Sequence, residues 1–213
     1  MPICYVEGSK GGVGKSKLDF ALINYLLDDE KQGLLLESDT SNPNVYKAHH
    51  QHESGMLVCK EIDLDISDGW IELVNATDEL PDHCLEINSA ARSNISIAEY
   101  GSTLSETLAE LNRNLVTFWV INRQRDSVEL LRAFLNVFPA ALIHVCRNLY
   151  FGSSEKFELY NRSKSRKIIE RKGRTLDFPD LGDSVADKLY SGRMPIKKAL
   201  EELPIGDRAE LRR

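Results

Sequence analysis

Lys10-Gly11-Gly12-Val13-Gly14-Lys15-Ser16 stands between a short apolar run, Ile3 to Val6, and a stretch from Lys15 to Leu27 in which Leu18, Phe20, Ala21, Ile23, Leu26 and Leu27 recur at near-helical spacing. The order is strand, glycine loop, helix. A loop that binds phosphate must bring several backbone N–H groups to one anion, which needs residues that tolerate unusual dihedrals and carry no side chain. Gly11, Gly12 and Gly14 satisfy that need. Lys15 can then reach the outer phosphates, the Ser16 hydroxyl can ligate Mg²⁺, and the helix starting there turns its positive dipole end to the nucleotide. Lys17, one residue beyond Ser16, is grouped with the loop as nucleotide-binding.

Outward from the loop, Leu34-Leu35-Leu36 is a second apolar run, too short for a helix and ending in Glu37-Ser38-Asp39, as a buried parallel strand leading into a functional loop does. Further runs at Cys84 to Ile87, Leu115 to Ile121 and Ala140 to Cys146 alternate with helical stretches at Leu104 to Leu111, Ser127 to Val137 and Val185 to Tyr190. This alternation predicts an α/β fold, a doubly wound, mainly parallel sheet with flanking helices. Right-handed crossovers then gather the strand C-termini at one edge, where the loop, Asp39, Asn88 and Asn148 converge. No linker or repeat interrupts the chain, and residues 1–213 are expected to form a single domain.

Ordinary proportions of apolar (42%) and charged (28%) residues exclude a disordered or fibrous chain. The net charge of -6 is uneven: residues 1–150 hold 12 Lys and Arg against 22 Asp and Glu, residues 151–213 hold 15 against 11. Cys4, Cys59, Cys84 and Cys146 form no C-x-x-C pair, so neither a zinc module nor a redox dithiol is legible, and Cys4, Cys84 and Cys146 lie in apolar runs where a thiol acts as a small buried hydrophobe. With no signal-like start and no run of 18 apolar residues, the expected location is the cytoplasm.

The general phosphate-loop pattern opens with a Gly where this chain has Ser9, preceded by Gly8. Lys10 to Ser16 instead resembles the signature of the ParA/MinD family of deviant Walker A ATPases, in which the additional lysine, here Lys10, belongs to the motif; the alternative for Lys10 is a solvated loop residue. The resemblance implies an ATPase that cleaves ATP to ADP and phosphate, slowly and with partner stimulation. Two subunits then sandwich two ATP molecules with Mg²⁺, and Lys10 acts on the partner's nucleotide. It also implies roles elsewhere. Asp39 aligns with the second of two alternate acids ahead of Pro43, where it orients water or binds Mg²⁺ through water, with Glu37 in support; the alternative is an Asp that caps its own loop. Asn88 falls where the family has a strand-end Asp that accepts from a magnesium-bound water. The missing charge bears on hydrolysis rather than nucleotide binding, and Asn88→Asp is expected to tighten Mg²⁺-ATP more than metal-free ATP. Asn148 corresponds to a base-reading Asn, and Pro179-Asp180 to a late loop beside the adenine; the alternative for either segment is ordinary turn chemistry.

Segments 39–44, 122–127 and 147–148 look most like MobD-type plasmid mobilization proteins. This implies ATP-driven dimerisation that controls binding to DNA or to a plasmid-encoded partner in mobilization, partition or maintenance. Arg162, Lys164, Arg166, Lys167, Arg171, Lys172 and Arg174 place seven cations in thirteen residues, with Ile168 and Ile169 as candidate anchors of a helix. Such a face binds DNA phosphates without reading sequence, or is simply solvated. The alternative function is an ATP-dependent metabolic enzyme, a ligase or small-molecule kinase, on the same fold. The apolar face of residues 203–213 is too sparse for a membrane-binding helix, and no subunit-bridging cysteine pair of iron–sulfur carriers is evident.

Overall fold

The structure, a computed structural model, describes residues 1–28, 31–50 and 55–213. Among them, seven strands form one sheet in the order β3-β2-β4-β1-β5-β6-β7. The strands are β1 (Ile3–Gly8), β2 (Gly33–Glu37), β3 (Leu57–Glu61), β4 (Cys84–Asn88), β5 (Leu115–Ile121), β6 (Leu142–Asn148) and β7 (Thr175–Phe178). Every pairing is parallel. The predicted apolar runs are the central strands; β1, β2 and β4 are buried at every residue.

Two strands and one long helix lie outside those runs. At the sheet edges, β3 and β7 expose about half their residues, so their sequences do not read as continuous apolar stretches. Helix α3 (Ser67–Glu79), which follows α1 (Lys15–Asp28) and α2 (Asn44–His49), buries Trp70, Leu73 and Ala76 along a narrow face. Next come α4 (Asn94–Tyr100), α5 (Ser102–Thr107) and α6 (Asp126–Val137). Short helices α7 (Glu158–Asn161), α8 (Lys164–Ile169), α9 (Asp183–Ala186), α10 (Ile196–Glu202) and α11 (Ile205–Leu211) complete the chain, α9 running on into a π-helical turn, Asp187–Ser191.

Period-two alternation assigns each strand residue to a face. Ile3, Tyr5, Leu34, Leu36, Leu85, Ile87 and Trp119 pack under α3 to α6 in the larger core, around Trp70 and Phe134. Leu35 packs with Phe20 and Ile23 of α1, and Val6 and Val120 with Leu18 of the same helix. Arg113, almost fully buried, ties the opposite end of the sheet together by donating to the carbonyls of Met1 (2.9 Å), His83 (2.8 Å) and Leu80 (2.7 Å). All four cysteines are buried and free.

The α1 face also carries charge. Cys4 and Glu86 are register partners on β1 and β4, and Asp19 of α1 lies over them; Asp19 is 0% and Glu86 1% exposed. Burial pushes the Glu86 carboxyl up to about 8, and burial together with Glu86 raises Asp19 well above the ordinary range. Among the described residues neither carboxyl finds an N–H donor, so the pair is stable only while it holds a proton. An unfolded chain releases that proton near pH 4 to 5, whereas the folded chain keeps it to higher pH, so the pair's contribution is full below that range and is lost as pH rises toward 8. Glu86→Gln is therefore expected to raise the melting temperature at pH 8 by at least about 2 °C. The gain should shrink toward pH 5 in thermal scans; equal gains at both pH values would contradict a shared proton.

Candidate functional site

The glycine loop leaves the C-terminal end of β1, at the centre of the sheet, and enters α1. Gly12 (φ +77°) and Gly14 (φ +105°) occupy left-handed backbone. A Cβ on Gly14 would lie 2.4 Å from the Asn148 amide nitrogen, so glycine is required there by space as well as by dihedral. Val13 is fully buried among Val6, Leu18, Val120 and Cys146 and plugs the loop onto the sheet. Gly11 and Gly12 are exposed above it, and the Ser16 side chain stands at the first turn of α1.

Asn148, at the end of β6, is 4% exposed. Its Nδ2 donates to the Val13 carbonyl (2.8 Å) and its Oδ1 accepts from Tyr150 N (3.1 Å). The candidate base reader thus braces the phosphate loop. Pro179 and Asp180 follow β7, one strand further out, where Phe178 is in register with Asn148; both are exposed, and the Asp180 carbonyl accepts from Arg213 (2.6 Å). Lys17 does not face the loop: its ammonium lies over the rings of Tyr150 (5.4 Å) and Tyr190 (4.9 Å).

Ser9, at the position of the missing glycine, is buried with its hydroxyl 3.1 Å from Ser127 Oγ, which donates to Asn122 Oδ1 (2.9 Å). The 122–127 turn is thereby fixed against the loop. From the same turn, Gln124 accepts a hydrogen bond from the Lys10 ammonium and Asp126 forms an ion pair with it at 3.5 Å. Lys15 is 7% exposed and its ammonium approaches the Lys10 carbonyl (3.4 Å). Behind it lies Glu7, a buried carboxylate that accepts from Gly8 N (2.8 Å) and Ser93 Oγ (2.7 Å). Burial raises Glu7 above the usual carboxylate range, against the opposing pull of the Lys15 charge.

On the other side of β1, Glu37 ends β2 at 0% exposure. Its Oε1 accepts from Asn88 Nδ2 (2.7 Å) and Asp39 N (3.1 Å), its Oε2 from Tyr46 N (3.3 Å). Desolvation pushes it up to about 7 despite those donors. Asp39 caps its own loop, its Oδ1 accepting from Asn42 N (3.1 Å). Asn88 Oδ1 is buried and has no partner among the described residues. Such an orphaned acceptor, with the Ser16 hydroxyl and the Glu37 carboxyl, is a donor set of hard oxygens that suits Mg²⁺ and its water shell. The loop, Glu37, Asp39, Asn88 and Asn148 therefore share one edge of the sheet. Glu7, Asp19 and Ser127 escaped the sequence reading; an acid inside an apolar run was the available signal for the first two.

The basic segment runs alongside α6, from Ser163 beside Arg125 toward the far end of the sheet. Arg171 and Lys172 border an apolar groove with Pro139, Ala141, Ile143 and Ile168, by the start of β6 and so at the sheet end opposite the glycine loop. Of the two isoleucines Ile169 is buried, with Ser165, and anchors α8, whereas Ile168 is 53% exposed. Arg162 and Arg166 form ion pairs with Glu158 (3.4 Å) and Glu170 (2.9 Å), while Lys164, Lys167, Arg171, Lys172 and Arg174 are exposed. A cavity of about 420 Å³ lined by Leu27, His49, Leu57 and Lys198 also lies at that far end, away from the loop.

Protein MobD of Acidithiobacillus ferrooxidans is 53% identical to this chain over 212 residues, covering 99% of the chain and 92% of that protein. The chain belongs to the MobD family. No family model matches it. Among solved structures, MinD of Aquifex aeolicus superposes with TM-score 0.58 at 12% identity over 99% of this chain and 93% of MinD. A nucleotide-binding protein of Archaeoglobus fulgidus in complex with ADP superposes with TM-score 0.55 at 14% identity, over 95% and 92%. The fold is thus that of the ParA/MinD-like P-loop nucleotide-binding proteins, and no helix among the described residues is long and apolar enough to cross a membrane.

The clamp on Val13 separates two roles for Asn148. Asn148→Ala removes a buried hydrogen bond and leaves the Val13 carbonyl unpaired, about 1–3 kcal/mol or up to about a hundredfold in affinity. A brace of the loop is expected to weaken ADP and base-free tripolyphosphate alike in calorimetric titrations, whereas loss for ADP alone would mark a pure base reader.

Proposed function

We propose that this MobD-family chain is a ParA-like ATPase that dimerises on ATP and serves plasmid mobilization, partition or maintenance by binding DNA or a partner protein. The observation that carries this reading is the pairing of two lysines around one loop. Lys15 is buried under the loop, where it can meet the phosphates of its own nucleotide, and Lys10 is half-exposed at its rim, reaching outward to Gln124 and Asp126. A half-exposed ion pair is worth at most about 1 kcal/mol, so Lys10 is easily released toward a partner's nucleotide. There it places a fixed positive charge on the phosphoryl group being transferred.

The residues divide the work. Backbone N–H groups of Gly11 to Lys15 cradle the phosphates and Val13 holds the cradle in place, while Ser16, Asn88 and Glu37 hold a magnesium ion. That ion, when bound, neutralises charge on the outer phosphates. Asp39, in the loop that follows β2 at the same sheet edge, orients water once its capping bond to Asn42 opens. Lys164, Lys167, Arg171, Lys172 and Arg174 supply an exposed basic surface for DNA, with Arg171 and Lys172 at the far end of the sheet from the glycine loop.

Wild type is expected to double its mass in light scattering with ATP but not with ADP. Lys10→Ala should keep its ADP affinity within about twofold yet stay monomeric and lose turnover, as expected when a single charge stabilising the transition state is removed. A Lys10→Ala protein that hydrolyses ATP at the wild-type rate would sink the trans role. Replacing Arg171 and Lys172 with Ala should lower DNA affinity and make its logarithm fall less steeply with the logarithm of salt concentration, by about 0.9 for each phosphate no longer neutralised.

A further inference from the structure

Parallel register sets Glu37 of β2 directly beside Asn88 of β4. Counting by twos from Leu35 and Glu86, both side chains fall on the α1 face, the face whose helix begins with Lys15 and Ser16. The Asn88 amide nitrogen donates to Glu37 Oε1 at 2.7 Å, and the other end of the same amide, Oδ1, is buried without a partner among the described residues. Both residues are 0% exposed. A buried amide oxygen left unpaired costs about 1–3 kcal/mol, a cost relieved when a water or ligand donates to it.

An aspartate at position 88 would face Glu37 oxygen to oxygen. Two carboxylates this close and this dry do not both stay charged. An amide avoids the conflict by donating on one side and accepting on the other.

We propose that the work of a single strand-end carboxylate is divided here between two residues: Glu37 supplies the negative charge, and Asn88, held on Glu37 by its amide nitrogen, offers Oδ1 to a water of the magnesium shell. Asn88 is then a positioning residue and Glu37 is the electrostatic partner of the metal. This assignment rests on the magnesium–nucleotide reading above and goes beyond it. It also revises what position 88 alone suggests, because the value of an Asp there depends on residue 37.

The test is a double-mutant cycle over wild type, Glu37→Gln, Asn88→Asp and the pair, read by a fluorescent ADP analogue in EDTA and in a MgCl₂ titration, with melting curves in EDTA. Glu37→Gln is expected to raise the Mg²⁺ concentration needed about tenfold, as loss of an outer-shell partner does, with metal-free affinity within about twofold. Added to Glu37→Gln, the Asn88→Asp change should restore the requirement to within about threefold of wild type, since the amide introduced at position 37 can donate to the new carboxylate. Added to the wild-type chain, it should give little gain or lower the melting temperature. The assignment is overturned if Glu37→Gln leaves the Mg²⁺ requirement unchanged, or if Asn88→Asp lowers it equally in both backgrounds. Should Asn88→Asp not fold alone, the comparison of Glu37→Gln with the pair still decides, recovery supporting it and further loss overturning it. A wild type that binds no ADP analogue with or without Mg²⁺ overturns the nucleotide reading itself, an outcome distinct from a defect confined to the Mg²⁺-dependent part.

Discussion

Strand β1 has nowhere to move. It is paired along both edges, to β4 and β5, and buried at all six residues, so the loop that leaves it starts from a fixed point and direction. Val13 pins the loop's far side to the sheet, and Asn148 reaches across from β6 to hold the Val13 carbonyl. The left-handed backbone at Gly12 and Gly14 is then a consequence of a short chain spanning two anchored points. Glycine enters that backbone without steric cost, which a side chain at either position would incur.

Around that point the sheet collects acids that a purely structural core does not want. Glu7, Asp19, Glu37 and Glu86 are buried, and burial raises every one of them. Two have compensating donors: Gly8 and Ser93 on Glu7; Asn88, Asp39 and Tyr46 on Glu37. These two flank the loop. Asp19, one helical turn on from Lys15, pairs with Glu86, which also meets Cys4, while the charges of Glu37 and Lys15 act on Asp19 in opposite directions. Buried acids with raised pKa values at the C-terminal ends of parallel strands, as at Glu37, are the pattern by which a candidate site is recognised.

The central strands were legible because burial on both faces leaves an unbroken apolar signature, as at Leu34 to Leu36 and Leu115 to Ile121. The edge strands were not, since the exposed Lys60 and Glu61 of β3 and Asp177 of β7 interrupt the apolar run. The glycine loop could be read locally because its function needs backbone, and backbone demands are written in glycines. What lay beyond sequence was anything made by partners distant in the chain: Ser9 with Ser127, Lys10 with Asp126, Asn88 with Glu37, Asn148 with Val13. Residue type puts a side-chain amide at 88 and at 148, but an amide has two ends, and only the fold says which neighbour takes which.

The order of strands also sets the order in which the molecule can be assembled. As the chain is made, β1 and the glycine loop precede the strands they pack against: β1 has no neighbour until residues 84–88 exist and is flanked on both sides only after residue 121. The Val13 clamp waits longer still, for Asn148. Until those partners exist the loop is a glycine-rich tether beside an unpaired apolar strand, a non-local closure of the kind that slows folding and invites pairing with other chains. The earliest-made part of the site is the last to acquire its shape.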